Sequence, residues 1–481
     1  MVSALAKVLS RVSQHPRFGL FSTLFIVLLG ALIRLGNLAI PQSLVFDETY
    51  YVKDAYTLGK FGSERSWPES ANQFFESGSA DVFEDTGSYV VHPPLGKWII
   101  WLGINLFGVE NSFGWRFSTA VLGTASIALV IAIARQLTKS NAFAAIAGFL
   151  FAIEGYAVVM SRTAILDGTL SFFVLLGFLA LLQADQAWKT RLRQRQTLML
   201  QPWLVVLGVV MGMAGSVKWS ALYFLIAFGL FTFWSDWRTR AKLGLSKSPA
   251  IVQGIINAIT LSVASFAVYL ASWLGWIRDP QAWGRNAESD WWSSLFSYHL
   301  QILDFHANLQ TDHPYQANAW QWLFNLRPTA FYFEQFEGFE MCGLLPSCTI
   351  AITAIPNMVV WFAGLFAIVW LIKNRLRLPQ AQLVVLGFLA GWLPWVFFLE
   401  RTAFAFYAVA ISPFFVLALI LALQHYWRRG FLLRVEALRE KRITGLLLLA
   451  AAVAAFYLPI WIGLPVPYDF WRLQMLLPIW I

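Results

Sequence analysis

Residues 19 to 39 are an almost unbroken apolar run, about as long as a helix needs to cross the hydrocarbon of a bilayer. Comparable runs follow at 112 to 134, 140 to 160, 163 to 184, 203 to 217, 219 to 235, 251 to 277, 355 to 372, 379 to 398, 402 to 424 and 443 to 463. Lipid supplies no hydrogen-bond partners for the backbone, so segments of this kind must be helical. The expected fold is an all-α polytopic membrane protein of about eleven spans. Composition agrees: 58% of the 481 residues are hydrophobic and 13% charged, more apolar surface than a water-soluble core absorbs.

The net charge of +9 does not point to nucleic acid, because the basic residues fall in short loops between apolar runs. With the N terminus inside, the inner segments carry about 22 of the 35 Lys and Arg and about 4 of the 26 Asp and Glu. Merging 203 to 217 with 219 to 235 would place "KNRLR" (373 to 377) and "RRGFLLRVEALREKR" (428 to 442) outside, so the two are kept separate. This puts the N terminus in the cytoplasm and the C terminus outside. Lys7, Arg11 and Arg17 precede the first run without a clear cleavage site after it, the pattern of an uncleaved signal anchor. The whole chain, 1 to 481, reads as one integral membrane domain. Two long segments, 41 to 111 and 278 to 354, are external, too polar to span, and rich in Trp, Tyr and Phe. They are expected to fold on the membrane surface with interfacial helices.

"VFDETYYVKDAY" (45 to 56) opens the first external segment with adjacent carboxylates, Asp47 and Glu48. The structural role of such an acid is to cap the helix that follows. Its chemical role is that of a base, held in fixed orientation by the same cap. Arg34 lies within the first span, where a guanidinium needs a partner or a pathway unless it snorkels to the surface. Arg116, Arg162, Lys218 and Arg401 also fall at outer helix ends, against the positive-inside trend. Interfacial anchoring accounts for each alone. Together the five cations suit a lipid phosphate, which Arg binds in bidentate fashion. Asp167, five residues after Arg162, is either that arginine's structural partner or part of the site, with the structural role preferred.

"VVHPPLGKW" (90 to 98) closes the first external segment, its prolines interrupting any helix; His92 and Lys97 are candidate substrate contacts. Tyr50 and Tyr51 suit either a sugar face or lipid. Asp47, Glu48, His92, His306 and His313 permit a divalent cation such as Mg or Mn by residue type, but without a recognised spacing, and no cofactor is required. Cys342 and Cys348, the only cysteines, favour a structural disulfide in an oxidising compartment. No P-loop, dinucleotide fingerprint or nucleophile elbow appears, which argues against a nucleotide-driven pump.

The Arg of the first span, "FDETYYVKDAY", "HPPLGKW", "GWRFSTAVLG", "SRTAILDGTLSFF" and "GSVKWSALY", in this order, resemble the protein O-mannosyltransferases of the GT-C membrane glycosyltransferases. The similarity runs from about residue 30 to 235 and more weakly through "ERTAFAFYAVAISPF" (400 to 414). It implies a GT-C fold at the cell membrane and transfer of mannose from a polyprenyl phosphate to Ser or Thr hydroxyls of secreted proteins at the outer face. It also implies inversion at the anomeric carbon, Asp47 as base, and roles for Glu48, Arg34 and Arg116. The segment 278 to 354 is too short for the β-trefoil insert of fungal and animal members, and "LQILDFHANLQTDHPYQANAWQWLFNLRP" resembles the actinobacterial branch. Whether the enzyme works beside the Sec translocon is left open. The competing readings are a GT-C transferase of another lipid-linked sugar onto a lipid or glycan, and a lipid transporter. A transporter tends to broken spans and paired repeats near the midplane, whereas these charges gather at one face.

Overall fold

The computed structural model describes residues 17 to 196, 200 to 428 and 433 to 481. Lys7, Arg11 and the start of the basic stretch at 429 lie outside the described residues. Helices occupy all eleven expected positions. Among the described residues seven are long and apolar enough to cross a bilayer alone, and an eighth span forms if Asn141–Ala152 and Gly155–Arg162, bent by 57°, count as one. The count of eleven is therefore not reached by that criterion. Pro202–Val217 has 16 residues and Ser412–Arg428 has 17, while Ala221–Lys242 ends in charges.

The chain divides into two compact units, residues 1–49, 103–168 and 309–481 in the first and 50–102 with 169–308 in the second. In the first unit, Phe18–Leu35 packs on Ser112–Thr138 and Asn141–Ala152. Its other face, Leu20, Phe21, Leu24, Phe25, Leu28 and Leu32, is exposed, as a lipid-facing stripe must be. Close approach relies on glycine: a Cβ on Gly30 would meet Ile127 at 2.0 Å. Small residues at such crossings let dispersion do what the hydrophobic effect cannot do in lipid.

The same unit holds the one departure from an all-helical chain among the described residues. Strands β1 (Ala330–Glu337) and β2 (Ser347–Thr353) pair antiparallel, with Phe336 opposite Cys348. Cys342 and Cys348 form the expected disulfide, closing the tip of this hairpin.

In the second unit, Pro202–Val217 lies along Ser248–Ser272, with Ser265 Oγ donating to Gly208 O at 2.8 Å. Trp291–Asn308 is a helix within the segment 278 to 354. One face, with Leu295, Tyr298 and Ile302, is buried against Trp273 and Trp276; Trp292, Phe296, Leu300 and Leu303 are exposed, as lipid contact requires. Tyr298 Oη donates to Val90 O at 3.1 Å and accepts from Val90 N at 2.9 Å, which ties "VVHPP" to this helix.

Candidate active site

Local sequence sets the turn around the acidic pair. Asp47 directly precedes the helix Glu48–Phe61, and Glu48 N donates to Val45 O at 3.0 Å. Glu48 then folds back, its Oε2 accepting from Val45 N at 3.0 Å. Its carboxylate is fully buried and takes three more donors: Arg116 Nε at 2.8 Å and Ala164 N at 2.7 Å on Oε1, and Arg116 Nη2 at 2.7 Å on Oε2. A carboxylate with four donors around it has little capacity left for a reacting proton. Glu48, expected among the catalytic residues, is placed as a pin that fixes the turn. Asp47, half-buried, is the acid of the pair left nearer the surface.

The arginines differ from expectation in a related way. Arg116 Nη1 donates to Pro41 O at 2.7 Å and Leu38 O at 3.3 Å, and Nη2 to Ser43 O at 2.9 Å. Arg162 Nη1 donates to Ile33 O, Arg34 O and Gly36 O at 3.0, 2.8 and 2.6 Å, and its Nη2 to Asn37 O at 2.9 Å and Ile462 O at 3.1 Å. Arg34 Nη1 donates to Ala152 O at 3.1 Å and Nη2 to Phe151 O at 3.5 Å. A helix ending leaves its last carbonyls without intrahelical donors, and in lipid no water replaces them. The guanidinium forks fill that need at the end of the first span and at the break after Ala152. The charge of Arg162 thus goes to carbonyls. Arg34 and Arg116 both lie close enough to act electrostatically on Arg162. Three buried cations therefore share one region of the first unit, where Glu48 pairs with Arg116. Arg401 lies in the same unit, stacked over Trp395 at 5.5 Å with Nη1 donating to Thr402 O at 3.1 Å.

The remaining candidates, apart from His313, belong to the second unit. Tyr50 is exposed; Tyr51 is half-buried with its ring 6.0 Å from His92. His92 stacks on His306 at 5.2 Å, and His306 also lies against Trp219, the neighbour of buried Lys218. Lys97 is 1% exposed, ion-paired to Glu64 and 3.8 Å from Asp54, so its ammonium is engaged within the protein. Burial raises the carboxyl of Asp54 above its ordinary range, against the pull of Lys97. His313 sits in the first unit among aromatic rings, and among the described residues no group of three His, Cys, Asp or Glu converges as metal ligands.

Sequence reasoning passed over Phe46, Asp54, Glu64 and Phe404. For Asp54 and Glu64 the signal was present, since a lysine opening an apolar helix needs a counter-charge. Phe46 carried no signal, because nothing in its type suggests its backbone conformation.

The geometry can be set beside known proteins. Residues 24–275 match the family model of the dolichyl-phosphate-mannose-protein mannosyltransferases. A polyprenol-phosphate-mannose–protein mannosyltransferase of Mycobacterium tuberculosis is 31% identical over 93% of this chain and 88% of its own length. One from Corynebacterium glutamicum is 29% identical, over 91% and 88%. Among solved structures, a chain of the Saccharomyces cerevisiae protein O-mannosyltransferase Pmt1–Pmt2 complex bound to the sugar donor matches 99% of this chain and 94% of its own, with a TM-score of 0.73 at 15% identity. ArnT from Cupriavidus metallidurans bound to undecaprenyl phosphate matches 83% and 59%, with a TM-score of 0.52 at 16% identity. The fold is that of the GT-C membrane glycosyltransferases, and this chain belongs to the dolichyl-phosphate-mannose-protein mannosyltransferase family.

Proposed function

We propose that this multi-pass membrane enzyme transfers mannose from a polyprenyl phosphate to Ser or Thr hydroxyls of polypeptides, with Asp47 as the general base. The observation that carries this reading is the contrast within the acidic pair: Glu48 is saturated by Arg116 and two amides, while Asp47 is held beside it at the helix start. A Ser or Thr hydroxyl is a weak nucleophile and needs a base within hydrogen-bond reach. In the step, the acceptor oxygen forms a bond to the anomeric carbon and its proton passes to the Asp47 carboxylate. The bond from that carbon to the phosphate oxygen breaks, and the lipid phosphate leaves with the electron pair. One displacement inverts the anomeric centre.

The growing phosphate charge favours a positive field. Arg34, Arg116 and Arg162 supply that field from fixed positions, and Arg401, in the same unit, is proposed as a cation that meets the phosphate. The plasma membrane is proposed as the location, and the charge distribution between spans supports a cytoplasmic N terminus with an external site. Secreted chains at that face are the acceptors in this reading.

The test uses membranes carrying the intact protein or Asp47→Asn, with radiolabelled polyprenyl phosphate mannose and a Ser/Thr-rich peptide. Label on the peptide with the intact protein alone supports the reading. Label on a lipid or glycan, with none on the peptide, would give the acceptor to the competing GT-C reading.

A further inference from the structure

Phe46, immediately before Asp47, has φ +50°, in the left-handed region that β-carbon sterics make uncommon for a bulky residue. Among the described residues the other non-glycine cases are Asn37, Lys139, Arg195 and Asn325. Two of these are asparagines, which adopt the region readily, and Lys139 ends a helix. Phe46 has neither excuse, so its conformation must be imposed by what surrounds it.

Two clamps do this, both within the first unit. On the polar side, Glu48 Oε2 accepts from Val45 N, and Thr49 N donates to Phe46 O at 3.3 Å. On the apolar side, the Phe46 ring meets four others nearly edge-on: Phe404 at 5.2 Å, Phe331 at 5.4 Å, His313 at 5.5 Å and Phe406 at 5.7 Å, with interplanar angles of 67° to 90°. These are favoured aromatic geometries, and each fixes the ring in a different direction. The cage is itself fastened. Phe404 and Phe406 stack at 5.4 Å, Thr402 Oγ1 donates to Thr311 O at 2.6 Å, and Ala317 N donates to Ala403 O at 2.8 Å.

We infer that Phe46 is a positioning residue: its caged ring holds the left-handed turn that sets the direction of the Asp47 carboxylate. The physical link is short. The peptide plane between residues 46 and 47 follows the backbone angles of Phe46, so relaxation to a common negative φ re-aims Asp47 and changes the groups its carboxylate faces. The cage rings come from the second external segment, from the start of β1 and from "TAFAF" (402 to 406). Residues far away in sequence thereby govern the aim of the acid. Glu48 fixes the turn from below and Phe46 from the side. The inference rests on the reading of Asp47 as base.

The experiment measures kcat, donor KM and the pH–rate profile for Phe46→Leu, Phe46→Tyr, Phe404→Ala and Asp47→Asn in detergent, with folded protein quantified by size-exclusion elution. Phe46→Leu keeps bulk but loses the edge-on ring contacts. It is expected to lower kcat roughly 10- to 100-fold, the effect of a misplacement on the order of 1 Å, with donor KM within about twofold and the acid limb of the pH profile displaced. Phe404→Ala should act in the same direction more weakly. Phe46→Tyr, which retains the ring, should stay within about threefold of the parent. The inference is overturned if Asp47→Asn is inactive while Phe46→Leu and Phe404→Ala, both folded, keep kcat and the pH profile of the parent. It is equally overturned if their losses lie in donor KM or in the amount of folded protein. If Asp47→Asn itself retains kcat, the reading of Asp47 as base fails first, and this distinguishes the two.

Discussion

Two buried ion clusters draw carboxylates from the same segment, 41 to 111, and solve the same problem differently. In the first unit, Glu48 is surrounded by donors only: two guanidinium N–H groups and two backbone amides. In the second, Lys97 is shared between Glu64 and Asp54, the latter 3.8 Å away, with burial raising Asp54's carboxyl above its ordinary range. The first arrangement is one carboxylate met only by donors. The second is one lysine shared between two carboxylates. A site that must keep a neighbour such as Asp47 in fixed orientation gains from the first kind; a scaffold needs only charge balance.

The sharpest break of this comparison is Arg116→Ala. It strands a buried carboxylate without its cation, so the expected cost is about 3–5 kcal/mol of stability, with activity lost alongside. Thermal unfolding in detergent checks this, and Arg116→Lys should restore little, since an ammonium cannot reproduce the fork. Lys97→Met is expected to cost less, roughly 1–3 kcal/mol, because Asp54, whose carboxyl burial already raises, can neutralise by protonation. Equal losses for Arg116→Ala and Lys97→Met would remove the distinction drawn between the clusters.

The smallest effect is a pH dependence. A carboxyl whose folded value is raised binds its proton more tightly in the folded chain. The stability it contributes is full below the unfolded value, near 4 by the ordinary carboxylate range, and is lost as pH rises through the raised value. The intact protein should therefore lose on the order of 1 kcal/mol across that window, and Asp54→Asn should flatten the slope. Unfolding midpoints at a series of pH values, compared between the two proteins, give the measurement. A slope unchanged by Asp54→Asn would assign the pH dependence to another group.

Much of the fold was legible because lipid is an undemanding solvent to read. Apolar runs of the right length mark helices, and helices do occupy all eleven expected positions. What hydropathy could not tell was whether each helix qualifies alone as a crossing: the segment 140 to 160 breaks at Ile153 and Glu154 into helices bent by 57°. The hairpin of β1 and β2 was also not anticipated, although its disulfide was. Its residues pair with each other across a turn, and pairing of that kind leaves no apolar period long enough to separate it from surrounding loop.

For the site, residue type and order pointed to the acidic pair and to an outer-face gathering of Arg and Lys, since charged groups near lipid are costly enough to need a reason. Those are properties a chain carries before it folds. The assignment of tasks within the set came only with tertiary contacts. Arg162 grips the carbonyls from Ile33 to Asn37 and that of Ile462, Arg116 saturates Glu48, and Phe46 is held left-handed by rings from residues 313, 331, 404 and 406. Hydrophobic length and charge are local and additive, so the amino-acid sequence alone determined that the chain is a helical, multi-pass membrane protein and pointed to the candidate chemistry. Which donor meets which acceptor depends on directional contacts across more than a hundred residues, and only the folded chain decided those.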